Sequence, residues 1–149
     1  MYSHLLITTD GSELAQKGVD HGIGLAKALG SKVLIVTVTE PFPPMATGMG
    51  DAWAPTAADI DRYEASQTEH ARAILAAAQA DADKQGVAVE TMHVSDQHPA
   101  TAIIETAAAR DCSLIVMASH GRRGLSRLLL GSQTSEVLSH SNVPVLVVR

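Results

Sequence analysis

A single doubly wound α/β domain, with a five-stranded parallel sheet and helices on both faces, is the fold this sequence predicts. Three observations carry that prediction. Short apolar runs alternate with longer segments whose apolar residues recur at helical spacing. Several of the runs are apolar throughout, as strands covered on both faces are. The 149 residues, 46% hydrophobic and 18% charged, have the size and composition of one globular core, so residues 1–149 are expected to form one domain.

The elements follow in order. Leu5 to Thr9 is a β-branched apolar run that stops at Asp10-Gly11-Ser12, a turn with helix-capping residues. From Glu13 to Leu29, Ala15, Val19, Gly22, Ala26 and Leu29 mark one buried helical face before Gly30 ends it. Lys32 to Thr39 contains Val33-Leu34-Ile35-Val36 and Val38, a central strand. Prolines and glycines then exclude regular structure over most of Glu40 to Ala58, a long loop with Trp53 as an apolar anchor. It is expected to be mobile without ligand and to cover part of a site. Asp59 to Gln85 is an alanine-rich helix with Ile60, Tyr63, Ala71, Ile74, Ala78 and Ala82 on its apolar face, closed by Gly86. Val87 to Val94 alternates imperfectly, as an outer strand does, and Pro99 opens a helix that runs to about Arg110. Leu114 to Met117 is a buried strand, Ser132 to about His140 a helix, and Val143 to Val148 the final strand.

Composition excludes several classes of function. A net charge of -5 supplies no basic field for a nucleic-acid backbone, and 3% aromatic residues leave few rings for base stacking. Cys112 is the only cysteine, so no disulfide forms within the chain. The N-terminal apolar run is too short for a signal sequence and no run approaches a membrane span, so a cytoplasmic location without membrane contact is expected.

In an open parallel sheet, ligands bind beyond the carboxyl ends of the strands where the connections diverge. The turns to inspect are Thr8-Thr9-Asp10-Gly11-Ser12, Val38-Thr39, and Ala118-Ser119-His120-Gly121 running on to Gly131-Ser132. Phosphate binding needs convergent backbone N–H groups, a loop free of bulky Cβ atoms and the positive end of a helix dipole. Gly121, Gly124, Gly131 and Ser132 offer these, so the stretch from Met117 to Thr134 is expected to hold the phosphates of a nucleotide. No G-x-x-x-x-G-K-[ST] loop occurs, and Gly22-Ile23-Gly24 sits mid-helix, so the two commonest nucleotide motifs do not apply.

These residues resemble the universal stress proteins, whose nucleotide-binding members carry G-x-x-G, nine residues, then G-[ST] after the fourth strand. Here the run is Ala118-Ser119-His120-Gly121, nine residues from Arg122 to Leu130, then Gly131-Ser132. The resemblance extends from I-T-T-D-G-S in the first strand to V-P-V-L-V-V in the last, and it departs from the pattern at Ala118, where the family has glycine. A positive φ there would strain alanine; an ordinary φ leaves only a methyl group narrowing the approach. The resemblance implies an adenine nucleotide alpha hydrolase-like fold and a site for ATP, ADP or AMP, with or without Mg²⁺. Asp10 would meet the ribose, Val38 would offer backbone atoms to the adenine edge, and Gly121, Gly131, Ser132 and neighbouring amides would hold the phosphates. The candidate set is Thr9, Asp10, Val38, Ala118, His120, Gly121, Gly131, Ser132, Gln133 and Thr134, with no catalytic residue and no metal ligand among them.

Each has a plainer reading. Asp10 and Ser12 serve as turn and capping residues elsewhere, and glycines allow tight loops. His120 suits a phosphate or a structural hydrogen bond, and Arg122, Arg123 and Arg127 suit anionic oxygens or solvent. His93, Asp96 and His98 lack the spacing and third ligand of a zinc site, and Cys112 is expected to be a structural thiol. Three functions stay open: a nucleotide-binding regulatory module with at most slow hydrolysis, an ATP-using enzyme, or a stress module acting through protein contacts alone. No H-x-G-H pair or S-G-G-x-D-S loop occurs, and Met117 to Thr134 contains no lysine or carboxylate, which favours the first. A homodimer through Val143 to Val148 is expected, because an apolar edge strand seeks a partner and the family commonly dimerises there.

Overall fold

The computed structural model describes residues 1–43, 54–121 and 129–149. Trp53 and most of the proline- and glycine-rich loop, together with Arg122, Arg123, Gly124 and Arg127, lie outside the described residues. The elements are β1 (His4–Thr8), α1 (Glu13–Leu29), β2 (Lys32–Val38), α2 (Ala57–Gln85), β3 (Glu90–Val94), α3 (Pro99–Ala109), β4 (Leu114–Ala118), α4 (Ser132–His140) and β5 (Val145–Val148). All strand pairs are parallel, in the order β3-β2-β1-β4-β5.

That order follows from the chain's own alternation. Leu5 and Ile7 point to one face of the sheet, where they join Val33, Ile35, Leu114 and Val116 beneath α1 and α2. Leu6 points to the other, with Leu34, Val36, Ile115 and Met117 beneath α3 and α4. Right-handed crossovers from β1 through β2 to β3 place α1 and α2 on one face, and reversing direction to reach β4 and β5 places α3 and α4 on the opposite one. The reversal lies between β1 and β4, so their carboxyl ends stand side by side.

Local chemistry sets the ends of the elements. Ser12 caps α1 by accepting from Ala15 N–H, and Gly30 closes it in the left-handed conformation. Gly22 lets α1 sit close to the sheet, since a Cβ there would fall 2.6 Å from Ile7 Cδ1. Leu29 departs from expectation: it is 48% exposed, while Gly18 and Ile23 complete the buried face. α2 begins two residues earlier than its apolar pattern, because Thr56 and Asp59 form a reciprocal capping box. Those hydrogen bonds from the Thr56 backbone and hydroxyl also hold the Asp59 carboxyl below its ordinary range.

At the sheet edges the strands are shorter than the apolar runs. β3 starts at Glu90 rather than Val87, and β5 at Val145 rather than Val143. The Pro144 carbonyl still accepts from Ile115 N–H, which aligns β5 with β4 without needing the N–H that proline lacks. Cys112 is buried, and burial pushes its thiol up to about 11, consistent with a structural role.

Candidate functional site

A cleft of about 380 Å³ opens where β1 and β4 diverge, and all ten candidate residues line it. Its two ends are built differently.

One end is main chain. β4 finishes at Ala118 with its φ in the ordinary range; among the described residues the only non-glycine positive φ values are at Tyr2, Asp96 and Asp111. Alanine therefore adds no backbone strain where the family has glycine. Gly121 lies directly on the Asp10 carboxylate, since a Cβ there would sit 2.6 Å from Asp10 Oδ2. Gly131 is the N-cap of α4 and its N–H donates to the Ser119 carbonyl at 2.8 Å. A Cβ on Gly131 would come within 3.2 Å of that same oxygen, so the turn into α4 is tight enough to exclude larger residues. Glycine offers no side-chain acceptor, and so the first-turn amides of α4 carry no cap from the N-cap side chain and border the cleft.

Side chains near this end have structural duties. Asp10 Oδ1 accepts from Ser12 N–H at 3.0 Å and Thr9 Oγ1 accepts from Gly11 N–H at 3.2 Å, fixing the turn after β1. The Thr134 hydroxyl donates to the Ala118 carbonyl at 2.9 Å, tying α4 to the end of β4. Gln133 Oε1 accepts from Ala100 N–H at 3.0 Å and so caps α3, whose own N-cap residue, His98, does not. Gln133 thus borders the cleft while its carbonyl is committed to aligning two helix N-termini. His120 Nδ1 hydrogen-bonds Ser119 Oγ at 3.0 Å, and its buried Nε2 has no partner among the described residues.

The other end is formed by β2 outrunning β1. The last β1–β2 backbone bond is from Thr9 N–H to the Val36 carbonyl at 3.0 Å. The next rung would use Val38, whose backbone groups lie on the same side as those of Val36. Because the chain turns away at Asp10, that rung is not made among the described residues, and the Val38 N–H and C=O face the cleft. Thr39, by contrast, is paired on the β3 side: its N–H donates to the Val94 carbonyl and its hydroxyl bonds His93 Nε2 at 2.8 Å. Burial pushes the His93 imidazole below its ordinary range.

The helices supply walls that strand-end reasoning missed: Gln67, His70 and Ile74 from α2, and Pro99 and Ile103 from α3. Tyr63, Gln67, His70 and Ile74 recur at intervals of four, three and four, and this stripe was the available signal. No group of three or more potential metal ligands occurs among the described residues; His93 bonds Thr39, and His98 pairs with Glu136 at 2.9 Å.

An open parallel sheet with helices on both faces and a cleft at the strand ends defines the class of doubly wound α/β domains. Within that class, the chain belongs to the universal stress protein family, whose profile matches residues 1–149. It is similar to universal stress protein YxiE of Bacillus subtilis, at 31% identity covering 100% of both chains. It is also similar to universal stress protein MJ0531 of Methanocaldococcus jannaschii, at 29% identity over 100% of this chain and 83% of the relative. Among solved structures, a universal stress protein in complex with cAMP matches with a TM-score of 0.72 and 26% identity, over 99% of this chain and 97% of that one. No helix of the described residues is long and apolar enough to cross a membrane.

Proposed function

We propose that this protein binds an adenine nucleotide, ATP, ADP or AMP, in the strand-end cleft and acts as a regulatory stress-response module. The observation that carries the reading is the pairing of two unlike ends in one cavity. The unmade β1–β2 rung leaves a donor and an acceptor side by side on Val38, matching the N1 and N6 edge of adenine. Ile74 and Val36 add apolar surface for the ring. At the opposite end, the α4 amides at Ser132 and its neighbours suit phosphate oxygens, and Asp10 lies beside Gly121 within reach of a ribose. The cAMP complex of the relative described above supports the same ligand class.

Regulation rather than turnover follows from the chemistry present. The stretch from Met117 to Thr134 has no lysine or carboxylate, which favours regulation over turnover, with at most slow hydrolysis. Calorimetric titration with ATP, ADP, AMP and cyclic AMP, with and without Mg²⁺, tests the reading. Saturable binding of at least one is expected, and absence of binding by all four overturns it.

A second copy of the chain pairs along β5 in this reading. β5 is an edge strand, half-buried, and its alternation turns the Pro144 and Val148 carbonyls toward β4, leaving the Val145 and Val147 backbone groups outward. Light scattering should give twice the mass of 15.6 kDa. Val147→Pro, which deletes one outward N–H at a position open to proline, should shift the mass toward the monomer.

A further inference from the structure

We infer that Gln67 on α2 is a base-specificity residue that accepts a hydrogen bond from the exocyclic amine of the bound purine. This rests on the adenine-nucleotide reading of the cleft.

The inference comes from the direction of a hydrogen-bond chain. Tyr63 Oη lies 3.3 Å from the Glu40 carbonyl and 3.4 Å from the Pro41 carbonyl, and carbonyls can only accept. The phenolic proton is therefore spent on the segment leaving β2. What remains on Tyr63 Oη is acceptor capacity, and Gln67 Nε2 donates to it at 2.9 Å. With the tyrosine proton turned to the Glu40 and Pro41 carbonyls, the Gln67 amide points its nitrogen to the tyrosine and keeps Oε1 as its acceptor. Phe42 packs edge-on against the Tyr63 ring with centroids 5.3 Å apart, holding the chain of bonds in place. Gln67 is half-buried and borders the cleft beside Val38, Thr39 and Glu40, the end with the unpaired strand backbone.

An acceptor here complements a 6-amino group and opposes a 6-oxo group, which would bring two oxygens together with no proton between them. The Val38 carbonyl can take one amino hydrogen of adenine, and Gln67 takes the second. Gln67 would thus reinforce discrimination that the strand backbone begins.

The test is a cycle of two proteins and two ligands. Wild type and Gln67→Ala are titrated with ATP and with purine riboside 5′-triphosphate, which keeps N1 but has hydrogen in place of the 6-amino group. Gln67→Ala should weaken ATP about fivefold to tenfold and leave the 6-unsubstituted analogue within about twofold. Tyr63→Phe, which keeps the ring against Phe42 but frees the Gln67 amide, should reproduce part of the loss for ATP alone. Equal losses for both ligands, or none for either, would overturn the role of Gln67 while leaving nucleotide binding intact. Failure of wild type to bind either ligand would overturn both.

Discussion

The glycine-built end of the cleft and the end where β2 outruns β1 are made from different parts of the chain. At the first, side chains are absent where the backbone comes close: Gly121 against Asp10, Gly131 against Ser119. At the second, a strand runs past its neighbour and helix α2 brings side chains up to it. The first tolerates almost no change of size. The second can be varied one hydrogen bond at a time, and it is where members of one fold can differ in what they select.

The largest expected effect breaks the glycine-built end. Gly131→Val adds branched bulk where even a Cβ lies 3.2 Å from the Ser119 oxygen and 3.3 Å from His120 Cα. The turn must open, moving the α4 amides out of register with phosphate. Two or more charge-assisted bonds are lost, roughly a hundredfold or more in ATP affinity. The obstacle is the β4 exit rather than the ligand, so circular dichroism should accompany the titration. Undiminished affinity in the folded variant sinks the assignment of phosphates to this turn.

A subtler change sharpens the same point. Ser132→Pro deletes one amide at the first helical position, where proline is accepted, and Gly131 before it already has the extended ψ of 153 that precedes proline. Stability should hold while ATP affinity falls about tenfold; Ser132→Ala, which keeps the amide, should lose much less. Equal losses in the two variants would assign the effect to the Ser132 hydroxyl, and no loss in either would show that neither its hydroxyl nor its amide contributes.

How much of this was legible in the sequence follows from the same contrast. The glycine-built end is local in the chain: Ala118 to Gly121 and Gly131 to Thr134 flank one connection, and glycine has few reasons to recur at such spacing. The turn after β1 was equally plain in Asp10-Gly11-Ser12. Val38 was indicated by its place at a strand end, but which backbone atoms it presents depends on where β1 stops pairing, a fact of register between two strands. The cleft role of Gln67, His70 and Ile74 was harder to read, although Tyr63, Gln67, His70 and Ile74 form a stripe at helical spacing and Ile74 belongs to the apolar face. Helix faces at the margin between core and solvent mix polar with apolar residues, and the alanine-rich pattern of α2 drew attention to Ala71, Ala78 and Ala82, which face the sheet. The other differences lie at element ends: Leu29 is exposed in the last turn of α1, Val87, Val89 and Val143 pack against the core without joining the strand ladders, and the capping box starts α2 earlier.

At the side-chain-built end, Thr39→Val replaces the hydroxyl with a methyl of the same shape. Thr39 is 9% exposed, and its Oγ1 to His93 Nε2 bond of 2.8 Å joins the cleft wall to the edge strand β3. The loss should be about 1 kcal/mol of folding stability by denaturant titration, because the backbone pairing of Thr39 to Val94 and Gln97 survives. A change in denaturant midpoint within error would show the bond to be replaceable by water.

The smallest effect concerns pH and the same bond. Burial holds the His93 imidazole below its ordinary range, so the unfolded chain binds this proton more readily than the folded one. Stability from keeping His93 neutral is therefore complete above about pH 6.5, the ordinary imidazole value, and declines as pH falls from there toward the folded value. Proton binding at other groups contributes to any acid loss, so the informative quantity is the difference between wild type and His93→Gln, whose amide can still reach the Thr39 hydroxyl but does not titrate. The drop in Tm between pH 7 and pH 5.5 should be smaller in the variant by roughly one to three degrees. A drop of equal size in both proteins would mean that His93 carries no pH dependence of stability.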